Sequence, residues 1–159
     1  MKMTAKTRGN IIFVSLIAAS VLATAFIFYN SAQPAAVSSE TSGGFTEFAS
    51  QLLENIGFKP DRNVISFIVR KTAHFAEYFI LSALVFFSVA LRVSGKKIPF
   101  ASSVGYCAAV AAVDEFVVQR MTEGRSPEFF DVGIDTCGAL LSAGIMLLVI
   151  HIKNKRKNK

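Results

Sequence analysis

The sequence has only two cysteines among its 159 residues, Cys107 and Cys137. That rules out a disulfide framework, and neither cysteine has partners at the spacing a zinc site needs. Both fall inside long apolar runs, where cysteine packs as a small apolar residue. No glycine-rich nucleotide motif, internal repeat or heptad pattern is present. Acidic residues are missing from whole regions: none precedes Glu40, none lies between Glu77 and Asp114, and none follows Asp135. Charge as such is not scarce, with 17 Lys+Arg against 11 Asp+Glu and a formal net charge of +6. At 52% hydrophobic residues and a mean hydropathy of +0.47, the chain is too apolar for an ordinary soluble domain. Its length suits one domain, in which charged and apolar residues are segregated along the sequence.

Four stretches can cross a bilayer: 11–29, 72–91, 98–118 and 132–152. Each is about 20 residues, which at 1.5 Å per residue covers a hydrocarbon core of about 30 Å. The expected fold is therefore all-α, a polytopic membrane four-helix bundle with a short external amphipathic helix. With the N-terminus inside, the cytoplasmic side holds Lys2, Lys6 and Arg8, then Arg92, Lys96 and Lys97, then Lys153, Lys155, Arg156, Lys157 and Lys159. No acidic residue joins them, whereas all 11 Asp and Glu fall on the outer side. The positive-inside bias then predicts a multi-pass cell-membrane protein with both termini cytoplasmic. The tail "KNKRKNK", 153–159, reads as a topology anchor against anionic lipid, with no nucleic-acid partner implied. The first run is longer than a usual signal-peptide core of about 7–15 residues. It is expected to stay as a helix after the cytoplasmic residues 1–10. The alternative is cleavage after "NSAQPAA", which would leave three helices.

Residues 30–70 form an external connection in this reading. The part 30–44, "NSAQPAAVSSETSGG", is small, polar and broken by Pro34 and two glycines, as a flexible linker is. In 45–58, Phe45, Phe48, Leu52, Leu53 and Ile56 fall at helical spacing on one face. That predicts an amphipathic helix lying at the outer membrane interface or packed on the mouth of the bundle. "KPDRN" makes a turn, with Asp61 as a helix cap. "RVSGKKIP" is a tight cytoplasmic turn, and "QRMTEGRSPEFF" a short external loop.

Depth along the helices brings the ionisable residues together. The second span enters near Lys71, so His74 lies about one turn down and Glu77 about two. Asp114 and Glu115 lie about one turn below the outer end of the third span, and Asp135 about one turn into the fourth. Lys71, His74, Glu77 and Tyr78 share one helical face, as do Glu115 with Gln119, and Asp131 with Asp135 and Gly138. Charges at this depth are costly unless they face the interior and pair, so a shared polar pocket at the outer mouth is expected. Its candidate cations are Lys71, Arg120 and Arg125.

The same segments carry a resemblance. "KTAHFAEYFILSAL" and "DEFVVQRMTEGRSPEFFDVGIDTCG" are similar to the VanZ-like membrane proteins over about half the chain, residues 71–145. That family shows His-Phe-x-x-Tyr, matched by His74, Phe75 and Tyr78; Asp-Glu-x-x-x-Gln, matched by Asp114, Glu115 and Gln119; a Gly-Arg pair, matched by Gly124 and Arg125; and Asp-x-x-x-Asn-x-x-Gly, matched at Asp131 and Gly138. Asp135 stands where the family often has Asn, and Met121 where an aromatic is common. The resemblance makes 71–152, with three of the spans, the VanZ-like core. It also implies a link to low-level resistance to teicoplanin, a lipoglycopeptide acting at the outer cell surface.

Two functions compete. The first is a site that binds or modifies an envelope component at the bilayer surface: a lipid headgroup, a cell-wall precursor or a lipoglycopeptide. Lys71, His74, Tyr78, Glu115, Gln119, Arg125 and Asp131 would bind the ligand, the cations by charge-assisted hydrogen bonds. The second is an enzyme acting on such a headgroup or on a lipid-linked phosphate. Its catalytic candidates are His74, Glu77, Asp114, Glu115, Asp131 and Asp135. His74 would be the acid/base, Glu77 or Asp135 would orient it, and Asp114, Glu115 and Asp131 would hold a divalent cation. No resident metal or cofactor is assigned. A transport path is disfavoured, because the inner halves of the spans carry no charge.

Overall fold

The computed structural model describes residues 4–59 and 61–157. Lys2 and Lys159, counted above with the cytoplasmic charges, and Pro60 of the "KPDRN" turn lie outside the described residues, as does the side chain of Lys157. The described residues form α1 (Ala5–Ser31), α2 (Ala35–Thr41), α3 (Gly43–Asn55), α4 (Arg62–Ala90), α5 (Lys97–Val113) and α6 (Phe129–Lys157), with no strand among them. α5 runs on through a π-helical turn, Asp114–Val118, and a 3₁₀ turn, Gln119–Met121. α1, α4, α5 with its continuation, and α6 are each long and apolar enough to cross a membrane. The chain is an all-α membrane bundle.

The rods alternate in direction. At one end, here the linker end, sit the 32–61 connection and the 122–128 loop. At the other, the tail end, sit the 91–96 turn and the two basic chain ends. Arg92 ties the tail end together, donating to Asn10 Oδ1 at 3.0 Å with its guanidinium 4.1 Å over the Phe13 ring. Gly95 makes the α4–α5 turn with φ of 101°, a conformation that other residues adopt only with strain. At the linker end, α4 starts where Asp61 Oδ1 accepts from the Asn63 N–H at 2.8 Å.

α4 is the hub, packed on α6, α5, α1 and α3. Within a bilayer, water does not drive helices together, so tight contact and polar links must do so. Small residues supply both here. Ser82 Oγ donates to the Ala139 carbonyl at 3.0 Å across the α4–α6 seam. Cys107 Sγ lies 3.9 Å from the Tyr78 carbonyl across α4–α5. Tyr78, Leu81, Cys107, Ala111 and Ala139 are fully buried there, with Ile27 of α1 closing the cluster. Cys107 packs as its apolar surroundings predict. Cys137, about two turns from the linker end of α6, is exposed instead, because it falls on the side of the helix turned away from α4.

α3 decides between the two readings of its amphipathic face. It meets the bundle through its narrow polar side, where Thr46 is buried, and Glu47 pairs with Arg62 at the start of α4. Phe45, Phe48, Leu52 and Ile56, on the other side, are all more than half exposed. The apolar face is turned away from the bundle.

Candidate functional site

The π turn is the local device that makes the site. In a regular α-helix, at about 100° per residue, Gln119 would lie about 40° from Glu115 but about 140° from Asp114. One wider turn, with i→i+5 hydrogen bonding, changes that. Asp114 and Glu115 are 0% and 1% exposed, and Gln119 below them is 5% exposed. Gln119 Nε2 reaches both acids, Glu115 Oε2 at 2.6 Å and Asp114 Oδ2 at 3.3 Å. The i+4 and i+5 positions straddle one face only when the helix is widened in this way.

The two acids then draw donors from elsewhere. Ser31 Oγ, at the end of α1, donates to Asp114 Oδ2 at 2.7 Å. The Glu128 N–H, ahead of α6, donates to Glu115 Oε1 at 2.6 Å. On α4, Glu77 Oε1 accepts from Asn30 Nδ2 at 2.9 Å, and Glu77 Oε2 lies 3.7 Å from His74 Nδ1. Lys71 and Asp131 form an ion pair between α4 and α6, each about four-fifths buried.

Arg125 is the clamp of the loop. Its guanidinium donates to the Gln33 carbonyl at 3.2 Å, the Asn30 carbonyl at 3.3 Å and Gln119 Oε1 at 3.0 Å. Burial holds it below its ordinary basic range, Arg70 adds to that, and Asp114, Glu115 and Glu77 act in the opposite direction. Gly124, at φ of 74°, packs so close to α2 that a Cβ there would lie 3.2 Å from the Ala35 Cβ. Arg120 does not join in: it is exposed, and among the described residues it makes no side-chain hydrogen bond or ion pair. The expectation that it is a cation of the pocket is corrected on that ground, since the 3₁₀ turn points it away from Gln119.

α4, the π turn, the loop and α6 thus bring Lys71, His74, Glu77, Tyr78, Asp114, Glu115, Gln119, Arg125, Asp131 and Asp135 into one layer at the linker end. The family model of VanZ/LLP1 matches residues 16–150, from within α1 to near the end of α6. The chain belongs to the VanZ/LLP1 family. No curated protein and no solved structure matches it. This VanZ-like chain is a multi-pass membrane protein.

Some features of the VanZ-like site were not foreseen. Asn30, Ser31 and Gln33 sit in a polar stretch that reads as linker, yet they supply donors and carbonyls to the acids and to Arg125. Their signal was depth: they end an apolar run at the level of the other polar residues. The metal-bearing form of the enzyme reading does not fit. Among the described residues no three His, Cys, Asp or Glu side chains are grouped to hold a metal ion. Asp131 faces Lys71, while Asp114 and Glu115 face Ser31, Gln119 and the Glu128 N–H. Among the described residues, five buried side-chain polar atoms have no hydrogen-bond partner: His74 Nδ1, Tyr78 Oη, Asp114 Oδ1, Asp135 Oδ1 and Ser142 Oγ.

Proposed function

We propose that this VanZ-like protein binds the polar headgroup of an amphiphilic envelope component, with the linker end outside the cell and both termini in the cytoplasm. The observation that carries this reading is the pairing of two surfaces at one end of α4. One is the buried layer of acids, histidine and cations. The other is α3, whose open apolar face suits the interfacial zone of a bilayer and which is tied to Arg62, about 13 Å from Lys71 along the helix. Such a combination fits a molecule with a charged head and an acyl tail. The unpartnered polar atoms support it further, because a purely structural network tends to leave none. The distribution of basic residues supports the orientation.

Lipid headgroups, lipid-linked wall precursors and lipoglycopeptides of the teicoplanin type belong to this ligand class. A role in glycopeptide resistance follows if the ligand is the drug or its target. The enzyme reading has one feature in its favour, the approach of His74 to Glu77, but at 3.7 Å it is longer than a working acid–base contact of about 2.6–3.2 Å.

The test uses full-length protein purified from membranes, with co-purified lipid read by native mass spectrometry. His74→Ala, Glu115→Gln and Asp131→Asn are expected to insert normally and to lose retained amphiphile. Variants that retain it as wild type does would refute a headgroup site. So would a reporter on the C-terminus that is active outside the cell.

A further inference from the structure

The cleft between α4 and α6 is where the site stays chemically open. Its walls are Lys71, His74, Gln119, Asp131, Ile134 and Asp135, and as the side chains stand it is too narrow for a water molecule. Two of these walls carry an atom without a partner, His74 Nδ1 and Asp135 Oδ1. Asp135 is only 2% exposed, so solvent does not compensate it. Asp131 adds a third acceptor, since Lys71 engages its Oδ1 alone. Gln119 and Arg125, in contrast, are engaged, and the unpartnered Tyr78 hydroxyl is not among the cleft walls. Gln119 uses Nε2 on the two acids and Oε1 on Arg125. Arg125 uses Nε, Nη1 and Nη2 on protein oxygens. A phosphate or carboxylate arriving here would meet acceptors.

The charge balance has the same sign. Glu77, Asp114, Glu115, Asp131 and Asp135 face Lys71 and Arg125. Adding Arg70 at the rim and a proton on His74 still leaves the carboxylates in excess. Unbalanced charge at this depth is costly, and either a proton on a carboxylate or a further positive group relieves it. A primary ammonium brings one positive charge, three donors and no acceptor, against three acceptors in the cleft.

We propose that the cleft takes the primary ammonium group of the bound amphiphile, with Asp135 as its buried counter-ion and His74 Nδ1 and Asp131 as further acceptors. This rests on the reading of the linker end as a headgroup site. Lys71 closes the mouth. Its flexible four-carbon stem lets its own ammonium swing toward solvent as the ligand's ammonium takes over Asp131.

The test places full-length protein in nanodiscs of phosphatidylglycerol, alone or with phosphatidylethanolamine, and reads retained lipid and the thermal unfolding midpoint. Hydrogen bonds to charged groups contribute enough for about a tenfold preference. Wild type is expected to retain phosphatidylethanolamine over phosphatidylglycerol by that factor. Asp135→Asn is expected to lose the preference, while its midpoint in phosphatidylglycerol alone stays equal or rises. A merely structural Asp135 would give a lower midpoint there and overturn the counter-ion role. Equal retention of N-acetylated phosphatidylethanolamine, which has lost the ammonium charge, also overturns the proposal. Free ethanolamine that stabilises the phosphatidylglycerol sample as fully as the lipid does would assign the cleft to a soluble amine and sink the amphiphile. Preferential retention of phosphatidylglycerol, abolished by Asp131→Asn, would leave the headgroup site standing and remove the ammonium. Retention of neither lipid would remove both.

Discussion

Gly138→Ala tests how closely α4 and α6 must approach. A Cβ on Gly138 would lie 2.4 Å from the Phe75 carbonyl oxygen, 3.2 Å from its carbon and 3.4 Å from its Cα. All three are backbone atoms, so no rotamer change relieves the clash. Carbon–oxygen contacts between helices settle at about 3.3–3.6 Å, which requires the two helices to part by about 1 Å. The Ser82–Ala139 hydrogen bond, 3.0 Å long and close by on the same seam, does not survive that separation. Overpacking costs about 1–3 kcal/mol, and an interhelical hydrogen bond in a membrane adds about 0.6. A loss of about 2–4 kcal/mol is expected. Gly144→Ala, on the same helix with nothing within 4 Å, is the control. It should be neutral, or stabilising by up to about 1 kcal/mol through helix propensity. Thermal unfolding in detergent, followed by circular dichroism, reads both. Equal midpoints would refute the close seam. Because Phe75 adjoins His74, Gly138→Ala should also weaken lipid retention.

Ser31→Ala removes a 2.7 Å hydrogen bond to buried Asp114 and should cost about 1.5–3 kcal/mol. Exposed Ser39→Ala should cost nothing, and equal effects would deny α1 its part in the site. Arg125→Lys should lower the unfolding midpoint as far as Arg125→Ala, since a point ammonium cannot serve three acceptors spread around a planar fork; a wild-type midpoint for the lysine variant counts against the clamp. The sequence contains no tryptophan, so Phe48→Trp gives a single emitter on α3. Brominated lipids should quench it, and unquenched emission at a water-exposed wavelength would place that face away from the bilayer.

Depth was legible before the fold, and azimuth was not. The rise per residue is constant, so counting from each apolar run sets His74, Asp114 and Asp135 at one level. Which way a side chain turns depends on local winding. Nothing in "DEFVV" announces a widened turn, and without it Gln119 would stand over Glu115 alone. Arg120 and Arg125 are equivalent by proximity; only the course of the loop through Gly124 sends one inward and leaves the other exposed. The role of Asn30 and Ser31 was hidden by their neighbour Pro34, which marks a chain break and says nothing of what the residues ahead of it touch. The α3 pattern likewise shows that a face exists without showing what it meets.

The π turn at Asp114–Val118 has a consequence for comparing relatives. A π turn holds one residue more than the α turn it replaces, so losing one of Phe116, Val117 or Val118 would restore ordinary winding and leave the helix beyond in phase. Gln119 would then fall three residues after Glu115 and four after Asp114, within reach of both on an ordinary helix. A one-position gap at this point thus spares both carboxylates and the glutamine they share. Homologues aligned through it lose one letter and keep the arrangement.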